Sequence, residues 1–207
     1  MKIYKNLALV ILLTFLTNFN KANTEGTVTY LIQPEVKMPT EGEFKKFLKE
    51  QELLKDQRII DKSFIYIADF EAFRAESYYC PAGVKTIGYG TIKYTKGDKI
   101  TKEEAEKLVR SESLKIYKSL KKSLKVYQTE EQVASLISLC YNISLPSFKR
   151  STLLKAINSK ASKDVIKREF LRWVNIRVYV NNKPVKRPLR GLQKRRAKEY
   201  EYYTTEV

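Results

Sequence analysis

A chain of 207 residues with 43% hydrophobic and 12% aromatic content has the material for one ordinary domain plus a tail, which excludes a disordered polymer. Having no His excludes Ser-His and Cys-His catalysis and His-ligated zinc, and two Cys cannot supply a four-thiolate zinc site, so no cofactor and no metal is expected. The formal charge of +17 calls for a polyanionic partner or surface, for which nucleic acid, anionic lipid and cell wall all qualify.

At the N-terminus, Lys2 and Lys5 precede an apolar run from Leu7 to Leu16 with no polar face. Its length suits the hydrophobic core of a signal peptide and is short for a transmembrane span, so residues 1–22 read as a signal peptide or signal-anchor and the protein as exported, to the periplasm or secreted. Ala22 is the best small residue for processing, with Asn20 a poor partner two places before it. Residues 7–19 therefore remain open as a tether in the inner membrane.

Residues 23–60 read as a linker with one amphipathic helix. Thr27 to Ile32 suits a short strand and Pro34 to Pro39 an extended segment. Thr40 with Glu43 forms a capping-box pattern ahead of Phe44, Phe47 and Leu48, which predicts a helix over about 41 to 55.

From residue 61 onward a single domain is expected. Phe64, Ile67 and Ala68 lie on one helical stripe whose next place is Glu71, so a carboxylate stands where an apolar side chain is due. Burial there would favour the protonated form a general acid needs; alternatively the stripe ends and Glu71 faces water at the last turn of a helix. Cys80-Pro81-Ala82-Gly83 has turn chemistry, and Val84 to Tyr94, rich in Val, Ile, Thr and Tyr with Gly88 and Gly90, reads as short bent strands. The pieces make one wall of a cleft.

Beyond Tyr94 the pattern is helical. Thr101 to Glu104 opens a helix with Ala105, Leu108 and Val109 inward, and Thr129 to Gln132 opens another burying Val133, Leu136, Ile137 and Cys140, the last as a core thiol. Further helices are predicted over Ser147 to Asn158 and Ser162 to Trp173, then a basic stretch around Lys186 and Arg187 and a last helix through Arg195 and Arg196.

The segment from Glu71 to Gly90 resembles the start of the catalytic domain of phage-type lysozymes, glycoside hydrolase family 24. These carry a Glu, a Cys or Asp nine residues on, and a Thr six residues after that, in a frame ending Thr86-Ile87-Gly88-Tyr89-Gly90. Ser151 to Leu154, Phe170 to Val174 and Gly191 to Arg196 are similar to the family's C-terminal lobe, so the resemblance covers about residues 61 to 200. It implies an α+β, mainly α, lysozyme-like fold over 61–207, with a small β-sheet lobe and a helical C-terminal lobe flanking a cleft.

It also implies hydrolysis of the β-1,4 bond between N-acetylmuramic acid and N-acetylglucosamine in peptidoglycan by a monomer. Glu71 would protonate the leaving oxygen, with Cys80 and Thr86 across the cleft. Two flanking groups suit an oxocarbenium-like transition state. Cys80 is left open between orienting a water with Thr86, attacking the sugar, and an incidental thiol in a turn; a Cys80 to Cys140 disulfide would disable it and is not expected. The chain departs from the family pattern at Ala72 and Ser144, where Gly is usual, at Lys85, where an aromatic is usual, and at Thr91, where His is usual. A peptidoglycan-binding protein of the same fold with impaired catalysis is the alternative. Nucleic-acid binding is not expected, because the aromatics fall on helix stripes and in the cleft wall instead of between exposed cations.

Overall fold

The computed structural model describes residues 39–80, 83–92, 94–180 and 183–205. The chain divides into two compact units, Met1–Thr40 and Glu41–Val207, of which the second is described below. The apolar run at 7–16, the strand expected at 27–32 and nearly all of the linker at 34–39 lie outside the described residues. Among the described residues no helix is long and apolar enough to cross a membrane.

Helix α1 runs without a break over Glu41–Ala68, so it outlasts the expected end near 55 and carries the expected boundary at 60/61 inside it. No Gly or Pro falls between Glu43 and Ala68 to stop it, and Glu41 pairs with Lys45 one turn on at 2.7 Å. Its two halves differ. Ile59, Ile60, Ser63 and Ile67 are buried, whereas of the expected amphipathic stripe Phe44 is half-buried and Phe47 and Leu48 are exposed, as are Leu53 and Leu54 beyond it.

After Ala68 the chain makes one more irregular turn. The Glu71 amide donates to Ile67 O at 3.0 Å, so Glu71 still follows the helical stripe although the helix has ended. Strand β1, Arg74–Tyr79, then pairs antiparallel with β2, Lys85–Gly88, in the register Tyr78↔Thr86 and Arg74↔Gly88 with a bulge between. Residues 74–79, between the expected helix and the expected turn, are thus a strand that local spacing did not announce: Arg74 lies opposite Gly88, Tyr78 opposite Thr86 and Tyr79 opposite Lys85, and cross-strand pairing decides the conformation. Gly83 closes the turn at φ +73, its amide donating to Cys80 O at 2.8 Å; Pro81 and Ala82 lie outside the described residues.

The helical lobe follows. Helix α2, Lys102–Ser123, opens with the expected capping box of Thr101 and Glu104, and α3, Glu130–Ile143, with that of Thr129 and Gln132. α3 is the core helix, burying every residue from Val133 to Cys140. It packs on α1, where Arg58 pairs with Glu130 at 2.7 Å and Lys62 with Glu131. α2 packs on both, with Arg110 paired to Asp61 and the Tyr117 hydroxyl donating to Asp56 at 2.6 Å.

The single helix expected over 147–158 is two, α4 Leu145–Lys149 and α5 Thr152–Asn158. The break is capped: Ser151 Oγ accepts from the Leu154 amide at 3.0 Å, which starts a new helix instead of extending the old one. α6, Lys163–Leu171, stops two residues short of Trp173 and buries Phe170. A hairpin not anticipated from sequence, β3 Asn175–Val180 with β4 Lys183–Pro188, leads into the last helix, α7 Arg190–Thr204. Neither Cys80 nor Cys140 is in a disulfide; Cys140 is buried, and burial pushes its thiol well above the ordinary range.

Leu136→Ala is expected to cost about 2 to 5 kcal/mol in urea denaturation, whereas Leu53→Ala, at a site 69% exposed, changes stability by no more than about 0.5 kcal/mol. Ser144 sits at φ 73 and ψ 142, a region that disfavours any side chain, so Ser144→Gly is expected to raise stability by about 1 kcal/mol in the same measurement. The lost Ser cap of the short α4 offsets only a few tenths of that.

Candidate active site

Three elements meet at Glu71: the end of α1, the loop after β2, and α7. The side chain is 25% exposed, and its Oε1 accepts from Arg195 Nη1 at 2.7 Å. The apolar stripe of α1 thus delivers the carboxylate to a cation and not to a wholly hydrocarbon wall. Its other oxygen lies under the loop, where a methyl group added at Gly90 would stand 3.4 Å from Oε2. With φ at +83, Gly90 also holds a conformation that a side chain would strain.

The loop is held from two sides. Tyr89 packs edge-on against Phe64 of α1 and is tilted against Phe73, ring centroids 5.6 Å apart in each case. Its carbonyl accepts from the Tyr141 hydroxyl of α3 at 2.8 Å. Burial pushes Tyr141 up to about 12, with Glu71 adding to the rise and a hydrogen bond with Thr91 opposing it, so the phenol stays a donor at neutral pH. Thr91, in the place where the family usually has His, therefore keeps a hydrogen-bonding part in this loop.

Cys80 and Thr86 meet at one carbonyl. The Cys80 amide donates to Val84 O at 3.0 Å and the Thr86 hydroxyl donates to the same oxygen at 2.9 Å. Thr86 is buried on β2 and Cys80 is half-buried at the end of β1. Lys85 between them turns outward to pair with Asp98, which also accepts from Ser77.

Arg195 is 6% exposed and has three fixed neighbours. Besides Glu71 these are Glu199, whose Oε1 accepts from Nε at 2.9 Å, and the Phe70 ring, 4.6 Å beneath the guanidinium. Glu199 is fully buried and is shared: Arg196 Nε lies 3.1 Å from its Oε2, and Ser138 Oγ donates to Oε1 at 3.0 Å. Arg196 reaches on to Asn142 Oδ1 at 3.0 Å. Burial lowers Arg196 to about 10 against the pull of Glu199, and burial raises Glu199 against the pull of Arg196 and Arg195.

Neither Arg195 nor Glu199 was singled out from sequence as a site residue, nor was Tyr141. Their signal was present in part, as Arg195 and Glu199 stand four apart on a helix, the spacing of an ion pair. Two cavities of about 520 and 710 Å³ lie elsewhere on the helical lobe, and neither is lined by Glu71, Cys80 or Thr86.

A small sheet beside a helical lobe, with an acidic residue at the first helix's end, defines a lysozyme-like protein. The family model described as phage lysozyme matches residues 68–199. The endolysin of Acyrthosiphon pisum secondary endosymbiont phage 1 is 38% identical over 146 residues, covering 68% of this chain and 94% of that protein. Among solved structures, the endolysin of Escherichia coli O157:H7 phage FAHEc1 is 32% identical with a TM-score of 0.61, covering 70% of this chain and 92% of that one. The muramidase domain of SpmX from Asticaccaulis excentricus is 27% identical, also with a TM-score of 0.61, covering 70% and 95%. The chain belongs to the phage lysozyme family, a class of glycoside hydrolases.

Removing the Tyr141 hydroxyl strands the carbonyl that holds the loop over Glu71. Tyr141→Phe is expected to lower stability by about 1 to 3 kcal/mol in thermal denaturation without unfolding the helical lobe.

Proposed function

We propose that the chain is an exported muramidase that hydrolyses the β-1,4 bond between N-acetylmuramic acid and N-acetylglucosamine in peptidoglycan, with Glu71 as general acid and Cys80 and Thr86 on the opposite side of the sugar. The relatives named endolysin and muramidase support the substrate. The observation that carries the assignment of the acid is the Glu71–Arg195 pair at 2.7 Å. When Glu71 passes its proton to the glycosidic oxygen it becomes a carboxylate, and a guanidinium already in contact stabilises that product of the transfer. The cation thus strengthens the acid at the moment the bond breaks.

On the far side, the Val84 carbonyl holds the Thr86 hydroxyl and, through the main-chain amide, the backbone of Cys80, and this shared turn supports the two residues as neighbours that direct a water molecule at the sugar carbon. A hydroxyl can do the same at position 80, whereas a methyl cannot. On this reading residues 1–22 export the protein to the periplasm or beyond, either as a cleaved signal or as an inner-membrane anchor, and the enzyme acts as a monomer. The alternative, a binding protein with impaired catalysis, draws support from the departures at Ala72, Lys85, Thr91 and Ser144.

Release of reducing ends from purified peptidoglycan tests both. Glu71→Gln is expected to lose about 10²- to 10⁴-fold in kcat with binding retained. Cys80→Ser keeps most of the activity and Cys80→Ala loses it, whereas loss in both variants identifies the thiol as a nucleophile. Wild-type protein that binds the polymer and releases nothing establishes the alternative.

A further inference from the structure

The Arg195 contact poses a problem for a general acid, and the residues behind it supply an answer. Two carboxylates, Glu71 and Glu199, face two guanidiniums, Arg195 and Arg196, in a group of which Glu71 alone is partly exposed and the other three are buried. Glu71 meets Arg195 directly and lies within electrostatic reach of Arg196 and of Tyr141 on α3. Glu199 meets both guanidiniums from its own helix, and from α3 it meets the hydroxyls of Ser135 and Ser138, one at its backbone carbonyl and one at its carboxylate, with the Cys140 thiol nearby. These α3 groups are neutral, as are Phe70 beneath Arg195 and Asn142 at Arg196.

We propose that Glu199 is a positioning residue that balances the charge of Arg195 and Arg196 around Glu71, so that the pair of guanidiniums does not act on that carboxyl group unopposed. The proposal rests on the muramidase reading above for its catalytic consequence, though not for its electrostatics. Geometrically, Glu199 fixes Nε of Arg195 at 2.9 Å, which leaves Nη1 aimed at Glu71 Oε1 at 2.7 Å. Electrostatically, with Glu199 in place the four groups sum to zero while Glu71 is ionised, and only one positive charge is added when it is protonated. Without Glu199 the two guanidiniums act on Glu71 with a single carboxylate between them, an excess of one positive charge.

The experiment follows the Glu71 side-chain carboxyl carbon by NMR through a pH titration of the full chain carrying labelled Glu, assigned by its loss in Glu71→Gln. In Glu199→Gln the Glu71 titration is expected to move to lower pH than in wild type, the direction an unopposed cation imposes. Adding Arg196→Met to that variant removes the excess cation, and the titration is expected to return toward the wild-type position. A residue needed only for packing gives no such return. Reducing-end release from peptidoglycan is then expected to show kcat reduced about tenfold or more at neutral pH in Glu199→Gln, with KM unchanged, and the alkaline limb of its pH profile displaced in step with the titration.

A Glu71 titration that is unmoved in folded Glu199→Gln, or that moves to higher pH because Arg195 has been released, overturns the proposal. If that variant does not fold, the doubly substituted chain decides alone: a wild-type titration supports charge balance, and a displaced one refutes it. Because the titration needs no turnover, a shift as expected in a wild-type chain that releases no reducing ends leaves the counter-charge standing and removes only the muramidase reading.

Discussion

The seam between the end of α1 and the face of α7 is the constraint on which the rest depends. Residues 124 positions apart are joined there by the Glu71–Arg195 pair, and the Tyr202 hydroxyl, stacked on Tyr66 at 3.8 Å between ring centroids, donates to Asp69. Phe70, between the two acids, lies beneath the Arg195 guanidinium. Each of the three residues that follow α1 or close its last turn is thus claimed by α7. A buried ion pair of this kind contributes little net stability, because desolvating both charges offsets most of their attraction, yet losing one partner costs about 3 to 5 kcal/mol. Such a pair is better understood as setting geometry than as adding stability. Here it fixes the direction of one carboxyl group.

The helix that makes this seam possible is α3, which touches every part of it without joining the chemistry. Its capped start fixes its register, so that Ser135, Ser138, Tyr141 and Asn142 face the far side. Ser135 and Ser138 hold Glu199, Asn142 holds Arg196, and Tyr141 holds the loop beyond β2. A helix buried all round offers small polar side chains only where a partner waits for them, since an unpaired hydroxyl in that core costs about 1 to 3 kcal/mol. The serines in α3 therefore mark where another element's polar groups arrive.

That distinction explains what could be read from the sequence. Local rules were legible: both capping boxes, the buried stripes of α2 and α3, and the place of Glu71 one turn beyond Ala68 followed from spacing alone. What escaped depends on pairing across the chain. β1 has alternating Arg, Glu and Tyr side chains that are helical or extended with equal ease until β2 is beside it. The β3–β4 hairpin was masked by its density of Lys and Arg, which read as a basic linker although Ile176, Val178 and Val180 alternate as a strand does. Arg195 and Glu199 stand four apart on a helix, a spacing shared by many surface ion pairs. Nothing in periodicity says that the face they occupy is buried, and only the arrival of Glu71 from the other end of the domain makes it a site.

The departures from the family pattern can be weighed in the same terms. Lys85 leaves the cleft to pair with Asp98 on the surface, so it adds no charge beside Thr86. Thr91 bonds Tyr141 and so stays within the network that fixes the Tyr89 carbonyl and, through Gly90, the space over Glu71. Ser144 accepts a strained backbone in exchange for capping α4, a cost borne by stability at the foot of α3 and not by the carboxylate. Each of these three substitutions is absorbed by a contact that does not involve the Glu71–Arg195 pair. Two guanidiniums and two carboxylates gathered at that seam are costly to desolvate, and a hydrophobic replacement is often as stable, so the cluster is better explained by the geometry it imposes on Glu71 than by any gain in stability.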